Sequence, residues 1–132
     1  MSNGTYILFM TFRDTLNVSV GSLGTLTIDS GEYCYIGSAM NGLEQRIRRH
    51  MMRDKKMRWH IDRLTVLTEE KEAYVSDVPI PECVLADMAE RSGCTPVHKG
   101  FGCSDCRCRT HLFLVTERAK RELLKTSSLT VF

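Results

Sequence analysis

Two tyrosines, an arginine and a histidine in the first fifty residues have side chains suited to phosphodiester chemistry. Tyr6 lies in a strand-like segment near the start of the chain, and a second strand-like segment ends in Tyr35-Ile36-Gly37. Arg46 and His50 follow four residues apart on a helix-like segment, which places them on one helix face. If the fold brings these four side chains to one end of a small sheet, they could hold and attack a phosphodiester.

A focused basic segment follows directly. Residues 46–58 contain seven cations against one acid, Asp54, so this stretch carries +6 in a chain whose net charge is only +2. Such a patch attracts polyanions and makes binding strongly dependent on salt. The alternative interpretation is a solvated helix face followed by a basic turn. The predicted nucleic-acid-binding residues are Gly37, Arg49, Arg53, Lys55, Lys56 and Arg58.

The hydrophobic pattern predicts the elements that would position these residues. Residues 6–12 are apolar on both faces, as in a buried central strand, and alternation predicts further strands near 16–20, 25–28 and 33–38. A turn after residue 12 would join them as an antiparallel meander. A helix is predicted over 42–53, with Asn41 as its N-cap and Glu44 completing a capping box.

The sequence pattern of the second half of the chain predicts three helices and two strands. A short helix carries Trp59, His60 and Asp62, for which we favour structural packing over a place in the substrate groove. A strand near 73–78, a helix from Pro81 to just before Gly93, a strand at 112–115 and a final helix at 116–125 follow. The predicted fold class is α/β, more narrowly α+β: one domain over residues 1–132 with a small, mostly antiparallel sheet flanked by helices.

Composition limits the cellular setting. The 132 residues include six cysteines, and no apolar run approaches the ~20 residues that a membrane helix needs. The N-terminus is polar and leads straight into a strand. We therefore expect a cytoplasmic protein whose cysteines are reduced thiols or metal ligands.

A cluster of cysteines near the end of the chain allows two interpretations. The spacing Cys103-x-x-Cys106-x-Cys108-x-x-His111 would permit a tetrahedral Zn2+ site, although classical zinc ribbons use two separated pairs. The interpretation we favour is a glycine-rich loop in which the cysteines pack as small apolar groups. Ser104, Asp105 and His111 would then lie at the rim of the active site.

The ordered tracts resemble the GIY-YIG nuclease superfamily. Gly4-Thr5-Tyr6, then Tyr35-Ile36-Gly37, then Leu43-x-x-Arg46-x-x-x-His50 follow its pattern, with threonine in place of the usual isoleucine. The rest of the chain is similar to one poorly characterised, mostly archaeal branch that is sometimes fused to endonuclease III. This second likeness is carried by residues 56–64, 82–86 and 100–113.

The resemblance implies hydrolysis of a DNA phosphodiester with one Mg2+ or Mn2+ ion. Tyr35 would be the general base or would orient the water, with Tyr6 in support and a phenolate favoured by the nearby cations. Arg46 would stabilise the charge on phosphorus, and His50 would assist.

Glu82 at the start of the third helix would hold the metal, with Asp87 as the rival carboxylate. The asparagine usual near the end of that nuclease domain has no counterpart here.

Two functions are therefore expected from the sequence. The first is a metal-dependent DNA endonuclease, directed to DNA structures or lesions, with a role in repair. The second is a nucleic-acid-binding module that keeps the basic helix without efficient catalysis.

Overall fold

An antiparallel sheet of six strands forms the centre of the fold. The computed structural model describes residues 4–39, 41–76, 78, 80–103 and 108–132. Within these residues the strands are β1 (Gly4–Phe12), β2 (Leu16–Ser19), β3 (Thr25–Ile28), β4 (Gly31–Ala39), β5 (Lys71–Val75), β6 (Thr95–Pro96), β7 (Leu112–Val115) and β8 (Thr130–Val131). The sheet order is β6-β7-β4-β1-β5-β8, and β2 pairs only with β3. The predicted α+β class is confirmed.

β1 is buried on both faces, as its sequence predicts. Tyr6, Leu8 and Met10 face one core, which also contains Ile47 of the first helix. Ile7 and Phe9 face a second core on the opposite side of the sheet, where they pack with residues of the last two helices. The alternation of period two therefore divides the molecule into three layers, with the sheet in the middle.

In the described part of the chain, four α-helices flank the sheet: α1 (Leu43–Met51), α2 (Asp62–Thr65), α3 (Glu82–Arg91) and α4 (Glu117–Ser127). α1 begins one residue later than predicted, because its N-cap is Gly42 in a left-handed conformation rather than Asn41. The predicted capping box is therefore wrong. α4 also begins one residue later than predicted, because Thr116 is its N-cap, and the Thr116 side chain accepts a hydrogen bond from the Ala119 N–H.

The predicted meander is wrong in its pairing. β1 does not pair with β2; it pairs along all nine residues with β4, from Gly4 opposite Ala39 to Phe12 opposite Gly31. A long strand that is apolar on both faces gains more from this partner than from a four-residue, half-buried one. The β2–β3 hairpin instead covers one core, where Val18 and Ile28 are buried.

The other differences are shifted element ends and two short strands that were not predicted. β5 occupies residues 71–75 instead of 73–78, and α2 has only four residues. β6 and β8, each of two residues, lie next to β7 and β5 and have no periodic signal of their own. Among the described residues, no helix combines the length and apolar character that crossing a bilayer requires. Cys34, Cys83 and Cys94 are free thiols.

Candidate active-site cleft

A cleft of about 790 Å3 opens where the paired ends of β1 and β4 meet α1 and α3. Chemically active side chains from five separate segments line it: Tyr6, Tyr35, Arg46, His60 and Glu82. Trp59 forms part of its wall. Three of the four predicted catalytic residues therefore share one surface, while His50 lies beneath it.

Tyr6 and His50 form a buried hydrogen-bonded pair. The Tyr6 hydroxyl lies 2.6 Å from His50 Nε2, and each residue is 1% exposed. Gly37, directly opposite Tyr6 in the sheet, makes room for this phenol, because a Cβ there would lie 2.5 Å from the Tyr6 hydroxyl oxygen. Gly37 lines the cleft as predicted for a DNA contact, but it is buried, and the structure gives it a packing reason.

His50 is held in its neutral form. Burial, and after it the charge of Lys55, lower its pKa from the ordinary 6.5 to about 3, although Asp62 works in the opposite direction. Burial also raises the pKa of Tyr6 well above its ordinary value. Both groups are thus uncharged at neutral pH. His50 does not line the cleft and contacts it through the Tyr6 hydroxyl.

The neutral state of His50 makes stability depend on pH. The unfolded chain binds a proton at this imidazole below about 6.5 and the folded chain only near 3, so stability is present above 6.5 and is lost as the pH falls. We expect the free energy of unfolding to fall by up to ~1.4 kcal/mol per pH unit in this window through His50. Urea unfolding at several pH values measures the slope. A His50→Gln variant with the wild-type slope would contradict this assignment.

Tyr35 is half-buried beside Tyr6. Their ring centroids are 6.5 Å apart, and Phe101 contacts Tyr35 edge-on from the other side. Gly102 lets its loop approach this ring, because it has a positive φ and a Cβ there would lie 2.9 Å from Tyr35 Cε1. Burial, followed by the charge of Glu82, raises the pKa of Tyr35 despite the opposing guanidinium of Arg46.

Arg46 favours the phenolate as expected, but its charge does not suffice to produce one in the metal-free protein. The cost of burying a charge exceeds the attraction of Arg46, and the carboxylate of Glu82 adds repulsion. Tyr35 is a phenol at neutral pH. Of its two predicted roles, orienting a water molecule fits this state.

Arg46 is fixed in the wall of the cleft by two contacts. Its Nη1 donates to the Ser38 carbonyl oxygen at 2.7 Å, and its guanidinium lies 4.6 Å from the centroid of the Trp59 ring. Stacking on an aromatic ring and a backbone hydrogen bond hold the planar group in place while leaving further N–H donors. Arg46 is thus preorganised to receive an anion.

Glu82 is the only residue with a carboxylate among the described residues that line the cleft. The Ser38 hydroxyl donates to Glu82 Oε2 at 2.5 Å, and His111 Nδ1 lies 2.6 Å from Glu82 Oε1. Burial works to raise its pKa, but the contacts with His111 and Ser38 outweigh burial and lower it. The rival, Asp87, lies outside the cleft and pairs with Arg91 at 2.8 Å on the exposed side of α3.

Two of the predicted DNA-binding cations are engaged within the protein. Arg49 Nη1 lies 2.6 Å from Asp62 Oδ1, and the Lys55 side chain is only 3% exposed, 3.8 Å from the same oxygen. Asp62 is fully buried and also accepts the backbone N–H groups of Arg58 and Trp59. The Lys55 side chain, which the sequence predicts as a DNA contact, is therefore covered in the free protein, and Arg49 is mostly covered.

Three other predicted contacts remain on the surface. Lys56 and Arg58 are exposed, and Arg58 reaches the cleft beside Trp59. Arg53 is exposed and pairs with Glu69 at 2.7 Å, a contact that solvent screens. We call Arg53, Lys56 and Arg58 the basic rim. Its charge is smaller than the sequence predicts, because Asp62 neutralises part of the segment from inside.

Asp62 is expected to be a major contributor to stability. Asp62→Ala would leave Arg49 and Lys55 buried without their counter-charge, which costs about 3–5 kcal/mol for a buried pair. The matched control is Asp87→Ala, which removes an exposed pair worth no more than about 1 kcal/mol. Chemical unfolding of both variants compares them. Equal losses would show that the Asp62 network is not structurally important.

Sequence reasoning missed two contributors to this region. Ser38 links both sides of the cleft, since its carbonyl holds Arg46 and its hydroxyl holds Glu82. Its position directly after Tyr35-Ile36-Gly37 was the available signal. The structural interpretation of Asp62 agrees with its burial, whereas Trp59 and His60 both line the cleft.

The second missed contributor is a cysteine. Cys83, Cys108 and His111 form a group whose ligand atoms all lie within 4.8 Å of one another, so this group could bind a metal ion. Cys83 comes from α3 and was not among the predicted ligands. Cys103 is described but lies outside the group. Cys106, Ser104 and Asp105 lie outside the described residues.

When compared with known proteins, the chain matches one family, and the description of that family assigns no activity. Residues 5–131, nearly the whole chain, match the family described as Domain of unknown function DUF123. No curated protein and no solved structure matched the chain.

Proposed function

The chain belongs to the DUF123 family, and from its cleft we propose that it is a divalent-metal-dependent DNA endonuclease of the GIY-YIG type. The observation that carries the proposal is the meeting of Arg46, Tyr35 and Glu82 in one accessible cleft beside the basic rim. Cleavage directed to DNA structures or lesions, in cytoplasmic repair, is part of the proposal. It rests on the superfamily resemblance.

The residues present fit one hard divalent cation. Glu82 offers carboxylate oxygens in the cleft, its lowered pKa keeps it ionised, and one carboxylate suffices for Mg2+ or Mn2+ that retains most of its waters. Ser38 and His111 orient this carboxylate. When bound, such an ion would polarise the phosphate and favour an activated water.

The protein groups act on the phosphate and the water. Arg46 receives the non-bridging oxygens and offsets the negative charge that builds on phosphorus during attack. Tyr35 positions the attacking water with its phenolic oxygen. Tyr6, buried and bonded to His50, keeps the floor of the cleft rigid, so that these groups do not have to reorganise during the reaction.

The charge distribution supports a polyanionic substrate. Arg58 of the basic rim lies in the same wall as Arg46 and Trp59, so a phosphate backbone bound at Arg58 would pass over the cleft. An aromatic ring among guanidinium groups is also suited to stacking on an unpaired base. This arrangement favours branched or damaged DNA, in which bases are displaced.

The salt dependence of DNA affinity should reflect only the cations that are accessible to phosphate. Arg46 and the basic rim make four phosphate contacts, which gives a slope of log Kd against log salt of about 3.6 in magnitude. Contacts from all six candidate cations, Arg49 and Lys55 included, would give about 5.4. Titration of labelled duplex at several salt concentrations measures it. The larger slope would mean that the Asp62 network opens on binding.

A second candidate is a nucleic-acid-binding module without efficient catalysis. The observation in its favour is the raised pKa of both cleft phenols, which leaves the free protein without a strong base there. DNA would then bind the same rim. The binding module would differ from the nuclease in one property: it would bind DNA, but addition of metal would not increase the rate of DNA cleavage.

The proposal is tested with a panel of substrates. Supercoiled plasmid, branched, flapped and abasic DNA are incubated with the protein and Mg2+ or Mn2+, and chelator provides the blank. Metal-dependent cleavage of at least one substrate is expected. If the folded protein binds these DNAs and cuts none of them, the binding module replaces the nuclease.

A further inference from the structure

Two thiols and an imidazole from two distant segments of the chain meet beside the cleft. Cys83 is the second residue of α3, while Cys108 and His111 precede and adjoin β7. Their ligand atoms all lie within 4.8 Å of one another, close enough for small side-chain adjustments to bring them around a single cation. The burial is graded, with Cys83 exposed, Cys108 intermediate and His111 buried.

We propose that Cys83, Cys108 and His111 bind a zinc ion, at a site distinct from the divalent ion held by Glu82. Thiolate and imidazole ligands select zinc, whereas Mg2+ and Mn2+ prefer oxygen. On binding, the two thiols release their protons to solvent and each sulfur donates an electron pair to the metal. Three protein ligands leave one tetrahedral position for water or a further ligand.

The surroundings of His111 match those of a zinc ligand. Glu82 Oε1 lies 2.6 Å from His111 Nδ1, which leaves Nε2 as the nitrogen that would face the metal. A carboxylate on the opposite ring nitrogen is the usual outer partner of a zinc-bound histidine and fixes its orientation. The His111 backbone is also anchored, since its N–H donates to the Phe101 carbonyl and its carbonyl accepts from the Ile36 N–H.

The site would join two parts of the active-site wall. The ion connects the first turn of α3 to the segment before β7. Glu82, the residue before Cys83, makes a second link between the same two segments, because its carboxylate contacts His111. Zinc therefore has a structural role here: it fixes the helix start from which Glu82 enters the cleft. The helix start has no other covalent or metal link to β7 among the described residues.

Metal binding can be measured without DNA, so the result is independent of the proposed nuclease activity. Metal-free protein is titrated with Co2+, which reports thiolate ligands by a charge-transfer absorption, and then with competing Zn2+. We expect one ion per chain with thiolate absorption and a higher melting temperature in the presence of zinc. Cys83→Ser should lose stoichiometric binding; because Cys83 is exposed, the substitution leaves the core intact.

Two further variants make the test specific. Cys103→Ser is the matched control, since Cys103 is close in sequence but outside the group, and it should bind zinc as the wild type does. Glu82→Gln should keep the thiolate absorption but lower zinc affinity about 10- to 100-fold, as expected for loss of an outer-shell partner. Absence of binding in the wild type, or unchanged binding in Cys83→Ser, would overturn the proposal. The proposal would also be overturned if Cys103→Ser lost as much zinc binding as Cys83→Ser.

Discussion

Replacing Arg46 with alanine is expected to lower the single-turnover rate of DNA cleavage about 100- to 1000-fold, the cost of removing one preorganised group that stabilises transition-state charge. The guanidinium is held by Ser38 and Trp59 before any substrate arrives, so its contribution needs no reorganisation. The Tyr35→Phe rate should fall by at least ~100-fold, because the water loses its orienting hydroxyl. DNA affinity should change much less for the phenylalanine, which removes no charge.

Arg48→Ala is the matched control for Arg46→Ala. Arg48 lies on the same helix and carries the same charge, but it is exposed and does not line the cleft. Its single-turnover rate at saturating DNA should equal that of the wild type. Equal losses in the two arginine variants would reduce the role of Arg46 to general electrostatic attraction.

The second large effect is expected at Glu82. Glu82→Gln keeps the size of the side chain but removes the charge that would hold Mg2+ or Mn2+, so the metal-dependent rate should fall at least ~100-fold. Asp87→Asn should remain active, because Asp87 pairs with Arg91 away from the cleft. Rates are measured across a range of metal concentrations.

Two outcomes would revise this assignment. Activity in Glu82→Gln together with loss in Asp87→Asn would transfer the metal to Asp87. Recovery of Glu82→Gln at high metal concentration would agree with a weakened site, whereas full activity at every concentration would contradict a metal role for Glu82.

The sequence predicted the elements better than their pairing. β1 and α1 have complete apolar patterns, so their existence and buried faces followed from the sequence alone. The partner of β1 did not, because neighbouring segments favour a local hairpin while burial on both faces favours the longer β4. The Asn41 cap failed for a similar reason, since Gly42 can adopt the left-handed conformation that the chain needs there.

Part of the set of cleft residues was predicted from the sequence, but the charges and pKa values in the cleft were not. The order of the tracts indicated Tyr6, Tyr35 and Arg46 correctly as neighbours. Whether a cation is available depends on its buried partners, and the position of Asp62 beneath Lys55 has no local sequence signal. The same applies to the Tyr35 pKa, which depends on burial more than on the charges nearby.

The most direct test of the nuclease proposal is single-turnover cleavage of a DNA that is already fully bound by the wild-type protein. Mg2+ is added to the preformed complex and strand scission is followed with time, with a chelator in a parallel sample. The proposed function predicts scission that begins on addition of metal, is absent with chelator and is lowered about 100- to 1000-fold by Arg46→Ala. Bound DNA that remains intact with Mg2+ and with Mn2+ would contradict it.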